Sequence, residues 1–351
     1  MKKAILKYPF LMQMGHGFLA FYRGMFGLLR GRRGSWDHLR SSWSFVRRCS
    51  SISGHPINVT LEPINACNLR CSVCETGAGI LGRSPQAMTF PEFQRIIDKI
   101  SPHTNTLMFY FMGEPFLHKD AYRMIRYAKK KNIPFVTSCT NGDVVNPEKL
   151  IESEIDEINF QIGGITQQTH QTYRQGSRLD RVLDNLEKTV LARNQSGAKT
   201  QIVCGFILMK HNEHEAQAFQ SMMAKIGVDR ALIVDPCVRN IEQAQRMLPR
   251  DRTHWAYDPA ALERGILKPR ISPRNSCPWI YYSLTVQVNG DVVPCCRDPK
   301  GQYIMGNLLR QDLDEIWNGK KFQDFRKKLL TDQKHIDICR LCSGFGVSRV
   351  K

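Results

Sequence analysis

Short runs of apolar, β-branched and aromatic residues alternate with longer amphipathic stretches along the middle of the chain. Six such runs occupy residues 57–63, 106–115, 133–142, 157–164, 200–210 and 231–237. The stretches between them have helical patterns and occupy residues 89–100, 119–131, 147–153, 178–194 and 213–226. Alternating strands and helices are typical of βα units around a parallel sheet. The pattern therefore predicts an α/β protein built on a partial (β/α)6 barrel.

The alternation ends near residue 240, where prolines and arginines become frequent. Two alternating runs return over residues 283–296, on either side of Asn289-Gly290, which predicts a hairpin with a type I′ turn. Residues 312–330 predict one amphipathic helix. We therefore expect a helical extension at 1–55, the barrel at 56–240, a bridging segment at 241–275 and a small cysteine-rich domain at 276–351.

The first 50 residues combine an apolar stretch with strong positive charge. Residues 8–22 are largely apolar but fall short of the roughly 20 residues that a spanning helix needs. Ten lysines or arginines stand here against one acid, Asp37, so about half of the total charge of +18 lies in this segment. An amphipathic helix on an anionic membrane surface fits this pattern. A helix packed on the protein itself or on a partner fits equally well.

Composition narrows the class of protein. Hydrophobic residues at 42% and charged residues at 23% are close to globular averages, which excludes a disordered chain. The twelve cysteines are too sparse for a disulfide scaffold, and their C-x-x-C spacings indicate metal or cluster ligands. Lys7 interrupts the apolar run after the first residues, which argues against a signal peptide. We expect a cytoplasmic protein, which the extension could bring to the inner face of the cytoplasmic membrane.

Three cysteines, Cys67, Cys71 and Cys74, follow the first predicted strand as C-x3-C-x2-C. Barrel enzymes place their active sites at this end of the strands. Three thiolates can hold three irons of a 4Fe-4S cluster and leave the fourth iron open to another ligand. The alternative is structural zinc, but such sites use four nitrogen or sulfur donors and no fourth donor lies nearby in sequence.

The segment NACNLRCSVC around these cysteines resembles the signature of the radical S-adenosylmethionine (SAM) superfamily. Val73 stands where relatives usually have an aromatic residue. The resemblance implies that the open iron binds SAM and that one-electron reduction of the sulfonium yields a 5′-deoxyadenosyl radical. It also implies a low-potential electron donor, a flavodoxin or a ferredoxin. No catalytic side chain is assigned from the sequence.

Motifs after the next strands resemble the family's SAM-binding segments. Gly113, Glu114 and Pro115 resemble its Gly-Gly-Glu-Pro motif, whose backbone contacts the methionyl amino group. Asn141, in Thr-Asn-Gly, resembles a segment that shapes the cofactor pocket, although an ordinary turn explains it as well. Gln161 stands where relatives have polar residues near the ribose. These five residues are the expected SAM-binding positions.

The C-terminal cysteines form a second candidate site. The spacing Cys277-x12-Gly290-x4-Cys295 resembles the opening of the SPASM domain, an auxiliary cluster-binding domain, and Cys339-x2-Cys342 follows. Four thiolates suffice for one fully ligated auxiliary 4Fe-4S cluster, with Cys296 as an alternative to Cys295. Four thiolates also suit structural zinc, so zinc stays open here.

The resemblance implies hydrogen abstraction from an unactivated C-H bond, but it leaves the substrate open. The apolar, basic extension favours a small-molecule substrate, either a carbohydrate, a lipid or a lipid-linked envelope precursor. Modification of a ribosomal peptide or maturation of a sulfatase is one alternative, and RNA modification is another. The positive charge lies beside an apolar stretch rather than beside stacking aromatics, which argues against nucleic acid. Cys139 and Cys237 end predicted strands, where apolar packing is the favoured interpretation.

Overall fold

The computed structural model describes residues 34–271 and 275–342 and, before them, only Met25. Its strands are β1 Asn58–Leu61, β2 Thr106–Met108, β3 Phe135–Thr140, β4 Glu157–Ile162, β5 Gln201–Ile207, β6 Arg230–Val234, β7 Ser283–Val286, β8 Asp291–Val293 and β9 Gly306–Asn307. They form one sheet in the order β6-β5-β4-β3-β2-β1-β7-β8-β9. The first six strands run parallel, as predicted. The predicted apolar stretch at residues 8–22 lies outside the described residues.

Helices connect the strands and cover the sheet. Their bounds are α1 Ser35–Val46, α2 Phe90–Ile100, α3 Ala121–Lys130, α4 Pro147–Glu152, α5 Gln167–Tyr173, α6 Leu179–Ser196, α7 Ala216–Ile226, α8 Ile241–Met247, α9 Pro259–Glu263, α10 Trp279–Tyr282, α11 Leu313–Trp317 and α12 Lys320–Asp332. Among the described residues, no helix combines the length and the apolar character needed to cross a bilayer.

Helix α2 shows how local sequence determines an element. Thr89 accepts a hydrogen bond from the backbone N-H of Glu92, and the Glu92 carboxylate accepts one from the Thr89 N-H, which makes a capping box. Pro91 in the first turn costs no intrahelical hydrogen bond. Phe93, Ile96, Ile97 and Ile100 then recur at helical spacing and are fully buried against the sheet. Each buried side chain of this size contributes about 1.5–3 kcal/mol.

Alternation along β4 separates the core from the barrel lumen. Ile158, Phe160 and Ile162 are fully buried on the helix-covered side of the sheet. Glu157, Asn159 and Gln161 alternate with them and therefore point to the opposite face. That face is the inside of the curved sheet, so the strand carries apolar residues outward to the helices and polar residues into the lumen.

The C-terminal strands extend the barrel sheet. Strand β7 pairs in parallel with β1, with Val59 opposite Leu284, and β8 and β9 follow in antiparallel pairing. The β7–β8 turn differs from the predicted type I′. The Gly290 N-H bonds the Gln287 carbonyl at 2.8 Å, and only Gly290 of the Asn289-Gly290 pair has a positive φ, at 84°. A three-residue loop ending in a left-handed glycine therefore replaces the predicted two-residue turn.

One other expectation about the C-terminal half needs correction. The single helix predicted over residues 312–330 is divided into α11 and α12 at Asn318 and Gly319. A Cβ at Gly319 would lie 2.3 Å from the Glu315 carbonyl oxygen, so the chain turns too tightly there for a continuous helix. The bridging segment contains α8 and α9 and buries Met247 and Tyr257.

The bridging segment covers the loop that carries the first three cysteines. Met247, Leu248 and Tyr257 form a separate apolar cluster with residues of that loop. Members contributed by the loop are Leu69, Cys71 and Val73. The bridge therefore shields one side of the cysteine loop from water.

Candidate active site

The cysteine loop is anchored at the end of β1 by Glu62. This carboxylate is completely buried and accepts two hydrogen bonds from Arg83, at 2.7 and 2.8 Å. It also accepts the backbone N-H groups of Met112, at 3.2 Å, and Val288, at 2.9 Å. One acid thereby connects the cysteine loop, the end of β2 and the β7–β8 turn. Sequence reasoning missed Glu62, because its partners are distant in sequence.

Cys67, Cys71 and Cys74 lie together on this loop, where the chain makes tight turns. The Cys74 N-H bonds the Cys71 carbonyl at 3.2 Å. Desolvation raises the pKa of the Cys67 thiol to about 11 and also raises that of Cys71. Cys67 Sγ accepts the Leu69 N-H at 3.4 Å, the kind of hydrogen bond that supports cluster sulfurs. The donor set of three soft sulfurs fits a cluster with one open iron, whose binding would displace the thiol protons.

Gly113 brings the end of β2 against the cysteine loop. Its φ is 89°, and a Cβ there would lie 2.6 Å from the carbonyl oxygens of Ile64 and Ala66. The neighbouring Glu114 N-H bonds the Ala66 carbonyl at 2.9 Å. Glycine is therefore needed for both the backbone conformation and the close approach. The space that it leaves is filled by the backbone just before Cys67.

Glu114 connects the ends of β2 and β3. Its carboxylate, 2% exposed, accepts the Asn141 N-H at 2.7 Å and the Thr140 hydroxyl at 2.9 Å. It also accepts the Phe116 N-H at 3.2 Å. Desolvation outweighs these donors and raises the pKa of Glu114 to about 7. A positively charged ligand beside it would lower that pKa and favour the carboxylate. Pro115 follows in a short 3-10 turn that fixes the direction of the chain.

Asn141 and Gln161 differ in position. The Asn141 amide donates to Asn68 Oδ1 at 2.9 Å and lies 3.9 Å from Cys67 Sγ, so it contacts the cysteine loop directly. Gln161 donates to Asn159 Oδ1 at 2.8 Å inside the lumen. A Cβ at Gly205 would lie 2.5 Å from Gln161 Nε2, so the missing side chain of Gly205 makes room for this amide.

Arg174 is a residue of this site that sequence reasoning missed. Its side chain follows α5 and is only 8% exposed. In the described part of the chain its Nε has no hydrogen-bond partner, and the guanidinium forms no ion pair with an acid. Its positive charge favours the ionised forms of Cys71, Glu114 and Cys139, so it lies near all three. A buried unpaired cation is costly, and an anionic ligand would compensate it. No sequence motif marks the position of Arg174.

The C-terminal cysteines also lie together. Desolvation raises the pKa of Cys277 to about 12, and the neighbouring Cys342 and Cys296 raise it further. Desolvation likewise raises that of Cys339 to about 12, with added effects of Cys277 and Cys342. Desolvation and the neighbouring Cys296 raise the pKa of Cys295. The structure thus gathers the four predicted cysteines and Cys296, a donor set that suits a fully ligated cluster.

Cys237 lies between the two cysteine groups, in a polar environment. Its sulfur accepts Arg297 Nη1 at 3.3 Å, Arg239 Nη1 at 3.6 Å and the Tyr257 hydroxyl at 3.6 Å. Arg239 also forms an ion pair with Glu75, next to Cys74, at 2.9 Å. Arg297 directly follows Cys296 in sequence. A chain of polar contacts therefore connects the first cysteine loop with the second cysteine group through Cys237.

The lumen between these groups is polar and mostly uncharged. Cys139 and Asn159 are opposite each other on β3 and β4, and Gln161 is next on the same face. Desolvation raises the pKa of Cys139 to about 12, yet this side chain is only half-buried. Its pairing with Asn159 places it on the lumen face of β3. Tyr110 faces the same lumen, because Cys139 and Cys296 both raise its pKa in addition to desolvation.

Two family models match this chain. The model of the radical SAM superfamily matches residues 61–218, and that of SPASM, an iron-sulfur cluster-binding domain, matches residues 277–343. These ranges include both cysteine groups. The first domain implies a 4Fe-4S cluster and SAM, and the second implies auxiliary iron-sulfur clusters. These cofactors agree with those expected from the sequence.

Curated relatives match only over parts of their length. An S-adenosyl-L-methionine-dependent 2-deoxy-scyllo-inosamine dehydrogenase from Niallia circulans is 36% identical over 87 residues, which cover 24% of this chain and 35% of the relative. An AdoMet-dependent heme synthase from Nitratidesulfovibrio vulgaris is 26% identical over 119 residues, 33% of this chain and 32% of the relative. The chain thus spans about a third of each of these relatives.

A solved structure has the same fold over most of the chain. A crystal structure of BtrN in complex with AdoMet and 2-DOIA covers 83% of this chain and 94% of its own, with a TM-score of 0.52 and 17% identity. This likeness shows the fold. Its agreement with the strand order, the cysteine loop and the two matching family models leads to one conclusion. The chain belongs to the radical SAM superfamily and carries a C-terminal SPASM domain.

Proposed function

We propose that this protein is a radical SAM dehydrogenase that oxidises a small polyhydroxylated molecule, a carbohydrate or the sugar part of a lipid-linked precursor. The observation that carries the proposal is the polar lumen between the two cysteine groups. Tyr110, Asn159 and Gln161 supply hydrogen-bonding groups without net charge, which suit substrate hydroxyl groups. The dehydrogenase activity named for the Niallia circulans relative supports this substrate class and this reaction type.

We assign the catalytic cluster to Cys67, Cys71 and Cys74. When bound, it supplies one electron to the sulfonium of SAM, which then yields methionine and a hydrogen-abstracting 5′-deoxyadenosyl radical. The backbone at Gly113, Glu114 and Pro115 would bind the methionyl amino group, with Asn141 and Gln161 completing the pocket. Arg174 supplies the charge that the methionyl carboxylate needs. The bridging segment excludes water from this side of the loop.

We assign one auxiliary cluster to Cys277, Cys295, Cys339 and Cys342, with Cys296 as the alternative to Cys295. When bound, it accepts one electron from the substrate. The substrate thus loses a hydrogen atom to the adenosyl group, this electron and one proton. Together these losses are a two-electron oxidation. A low-potential flavodoxin or ferredoxin would supply the reducing electron. Tyr110 lies between the lumen and Cys296, so substrate bound there would be near the acceptor.

Anaerobic reconstitution and SAM cleavage test the proposal. We expect 5′-deoxyadenosine from the wild type and none from a Cys67→Ala, Cys71→Ala, Cys74→Ala variant. Cys49→Ala is the matched control, because Cys49 belongs to neither cysteine group. Residual iron in the triple variant identifies an auxiliary cluster, whereas zinc without iron would refute it. No cleavage by iron-loaded wild type would withdraw the enzyme assignment.

Substrate class is tested with deuterated candidates. Sugars, aminocyclitols and lipid-linked sugars are compared with peptides and RNA, and deuterium in 5′-deoxyadenosine marks the true substrate. Asn159→Leu should reduce deuterium transfer from a polyol about tenfold, since one substrate hydrogen bond is lost. Gln201→Leu, at an exposed position on β5, is the matched control. Transfer from a peptide or RNA alone would overturn the polyol assignment while retaining the radical mechanism.

A further inference from the structure

Helix α1 carries an exposed stripe of alternating tryptophan and arginine. Trp36, Arg40, Trp43 and Arg47 follow the i, i+4, i+7, i+11 spacing that places side chains on one side of a helix. All four are exposed, and the tryptophans are 66% and 62% accessible to water. Tryptophan usually buries most of its surface, so two rings this open on one helix indicate a surface that meets a partner.

The opposite face of α1 is fixed on the body of the protein. The Tyr282 hydroxyl donates to Ser42 Oγ at 3.1 Å, and the Phe45 and Tyr281 rings meet edge to face at 5.2 Å. Asp37 contacts His55 and His103, each at 2.9 Å. The stripe therefore lies on a helix whose other face is packed against the rest of the protein. It needs no folding step to become accessible.

The outward surface of α1 carries only positive charge. Asp37 is the single acid in the first 50 residues, and it is turned inward to the two histidines. The Arg47 guanidinium lies 5.6 Å from the centre of the Trp43 ring, so cation and ring are side by side. Arg48 donates to the Leu330 carbonyl at 2.9 Å, which joins α1 to the end of α12. There the exposed Lys328 adds positive charge, whereas Lys327 is paired with Asp324 at 3.8 Å.

We propose that this stripe docks the protein on an anionic phospholipid bilayer. Tryptophan rings prefer the headgroup level of a membrane, where their apolar body and polar N-H both find suitable surroundings. Arginines beside them bind lipid phosphates, each contributing roughly 1 kcal/mol near an anionic surface. A single convex helix face has no groove to enclose a folded partner. It fits a flat, fluid surface that accepts the side chains individually.

Docking through α1 has a consequence for substrate access. Helix α1 lies beside the beginnings of β1 and β7, because a Cβ at Gly34 would lie 3.6 Å from the Ile57 side chain and Ser42 contacts Tyr282. The cysteine loop follows the opposite end of β1. A docked protein would therefore hold its cysteines at the end of the barrel away from the lipid. A water-soluble substrate would reach this end directly, and the docking inference does not depend on the radical mechanism.

Vesicle binding of the full chain tests the proposal. Sedimentation with phosphatidylcholine vesicles is compared with vesicles that also contain phosphatidylglycerol. We expect binding only to the anionic vesicles, and at least about thirtyfold weaker partitioning for R40E/R47E, which loses two such contacts and adds two carboxylates that the lipid repels. W36A/W43A should also weaken binding. L191A/I266A and R181E/R264E are matched controls at exposed positions elsewhere, and both should bind like wild type. Unchanged thermal melting verifies that each variant is folded.

Fluorescence locates the contact. Brominated lipid in the anionic vesicles should quench wild-type emission, and W36F/W43F should still bind but lose most of this quenching. Equal binding by wild type and both stripe variants would overturn the proposal and assign any membrane contact to residues 1–33. Absence of vesicle binding, with a dimer that W36A/W43A converts to a monomer, would also overturn it and make a second copy the occupant.

Discussion

The two ends of the barrel sheet differ in whether a charged side chain is paired with an opposite charge. At the end that carries the cysteine loop, Arg174 is buried and has no acid partner among the described residues. At the other end, His55 lies between two carboxylates, with Nδ1 2.9 Å from Asp37 and Nε2 2.8 Å from Asp314. Both ring nitrogens face carboxylate oxygens, which favours the doubly protonated, cationic ring and raises the pKa of His55, with the hydrogen bond to Asp37 as the largest cause.

The comparison distinguishes charged side chains that stabilise the fold from Arg174, which we assign to a bound ligand. The His55 ring joins α1, the start of β1 and α11, and His103 stacks on it at 3.5 Å while donating to the same Asp37. Hydrogen bonds from His103 and His55 outweigh desolvation and hold the pKa of Asp37 well below its usual range. The charges of this group are paired with one another, whereas we assign the partner of Arg174 to a bound ligand.

Replacing Arg174 should give the largest effect of these predictions, a loss of SAM binding at the end of the sheet that carries the cysteine loop. Arg174→Gln removes the buried cation that we assign to the SAM carboxylate. We expect SAM binding to weaken about a hundredfold, which corresponds to about 3 kcal/mol for truncating a buried charge pair. The ligand-free protein should melt at the same temperature or higher, because an uncompensated buried charge is removed. Equilibrium dialysis with SAM and thermal melting measure the two effects.

Arg193 provides the matched control for Arg174. It forms an ion pair with Asp229 at 2.5 Å and is largely buried. Arg193→Gln should lower the melting temperature and leave SAM binding unchanged, which is the reverse of the Arg174 result. If both variants lose stability and neither loses SAM, the distinction between paired and unpaired arginines does not apply here.

The strands were predictable because their residues satisfy local rules. The apolar alternation of β4 and the capping box of α2 depend on neighbours a few residues away. The addition of β7 to β1 depends on contacts between residues more than 200 positions apart, and no local pattern specifies it. The break between α11 and α12 was missed because one glycine is tolerated in many helices.

The cysteines were predictable because their spacing has a chemical reason, but their surroundings were not. Glu62 and Arg174 lie outside the motifs, and α5, which precedes Arg174, is polar along most of its length and gave no helical apolar pattern. Their importance comes from burial and from missing or distant partners. Those are properties of the folded chain, so a single sequence cannot reveal them.

Because of Glu114, the stability of the ligand-free protein should decrease as pH rises. Its folded pKa of about 7 exceeds the ordinary 4.5, so its stabilising effect is complete below about pH 4.5 and is lost as pH rises through 7. A shift of this size corresponds to roughly 3 kcal/mol. Glu114→Gln should remove this part of the pH dependence of the melting temperature. Equal slopes for wild type and variant between pH 5 and 8 would contradict it.

His55 should give a smaller effect at the opposite end. The hydrogen bond that His55 donates to Asp37 is the largest cause that raises the pKa of His55 above 6.5. Its stabilising effect is therefore complete below pH 6.5 and is lost as pH rises through the folded pKa. His55→Gln keeps one hydrogen bond but not the charge, and we expect about 1 kcal/mol less stability at pH 6, discounted because the ring is partly exposed. Urea unfolding at pH 6 and pH 9 measures it, and the difference should shrink at pH 9.

Asp314 should contribute least, although it contacts the same ring. Its side chain is 78% exposed, so solvent screens its attraction to His55. Asp314→Asn should change the free energy of unfolding by no more than about 0.5 kcal/mol, and high salt should remove the difference. Asp37→Asn, at the buried side of the same histidine, should destabilise the protein several times more. If the two substitutions cost the same, burial does not decide how much each carboxylate contributes, and the contrast between the two ends of the sheet must be attributed to geometry instead.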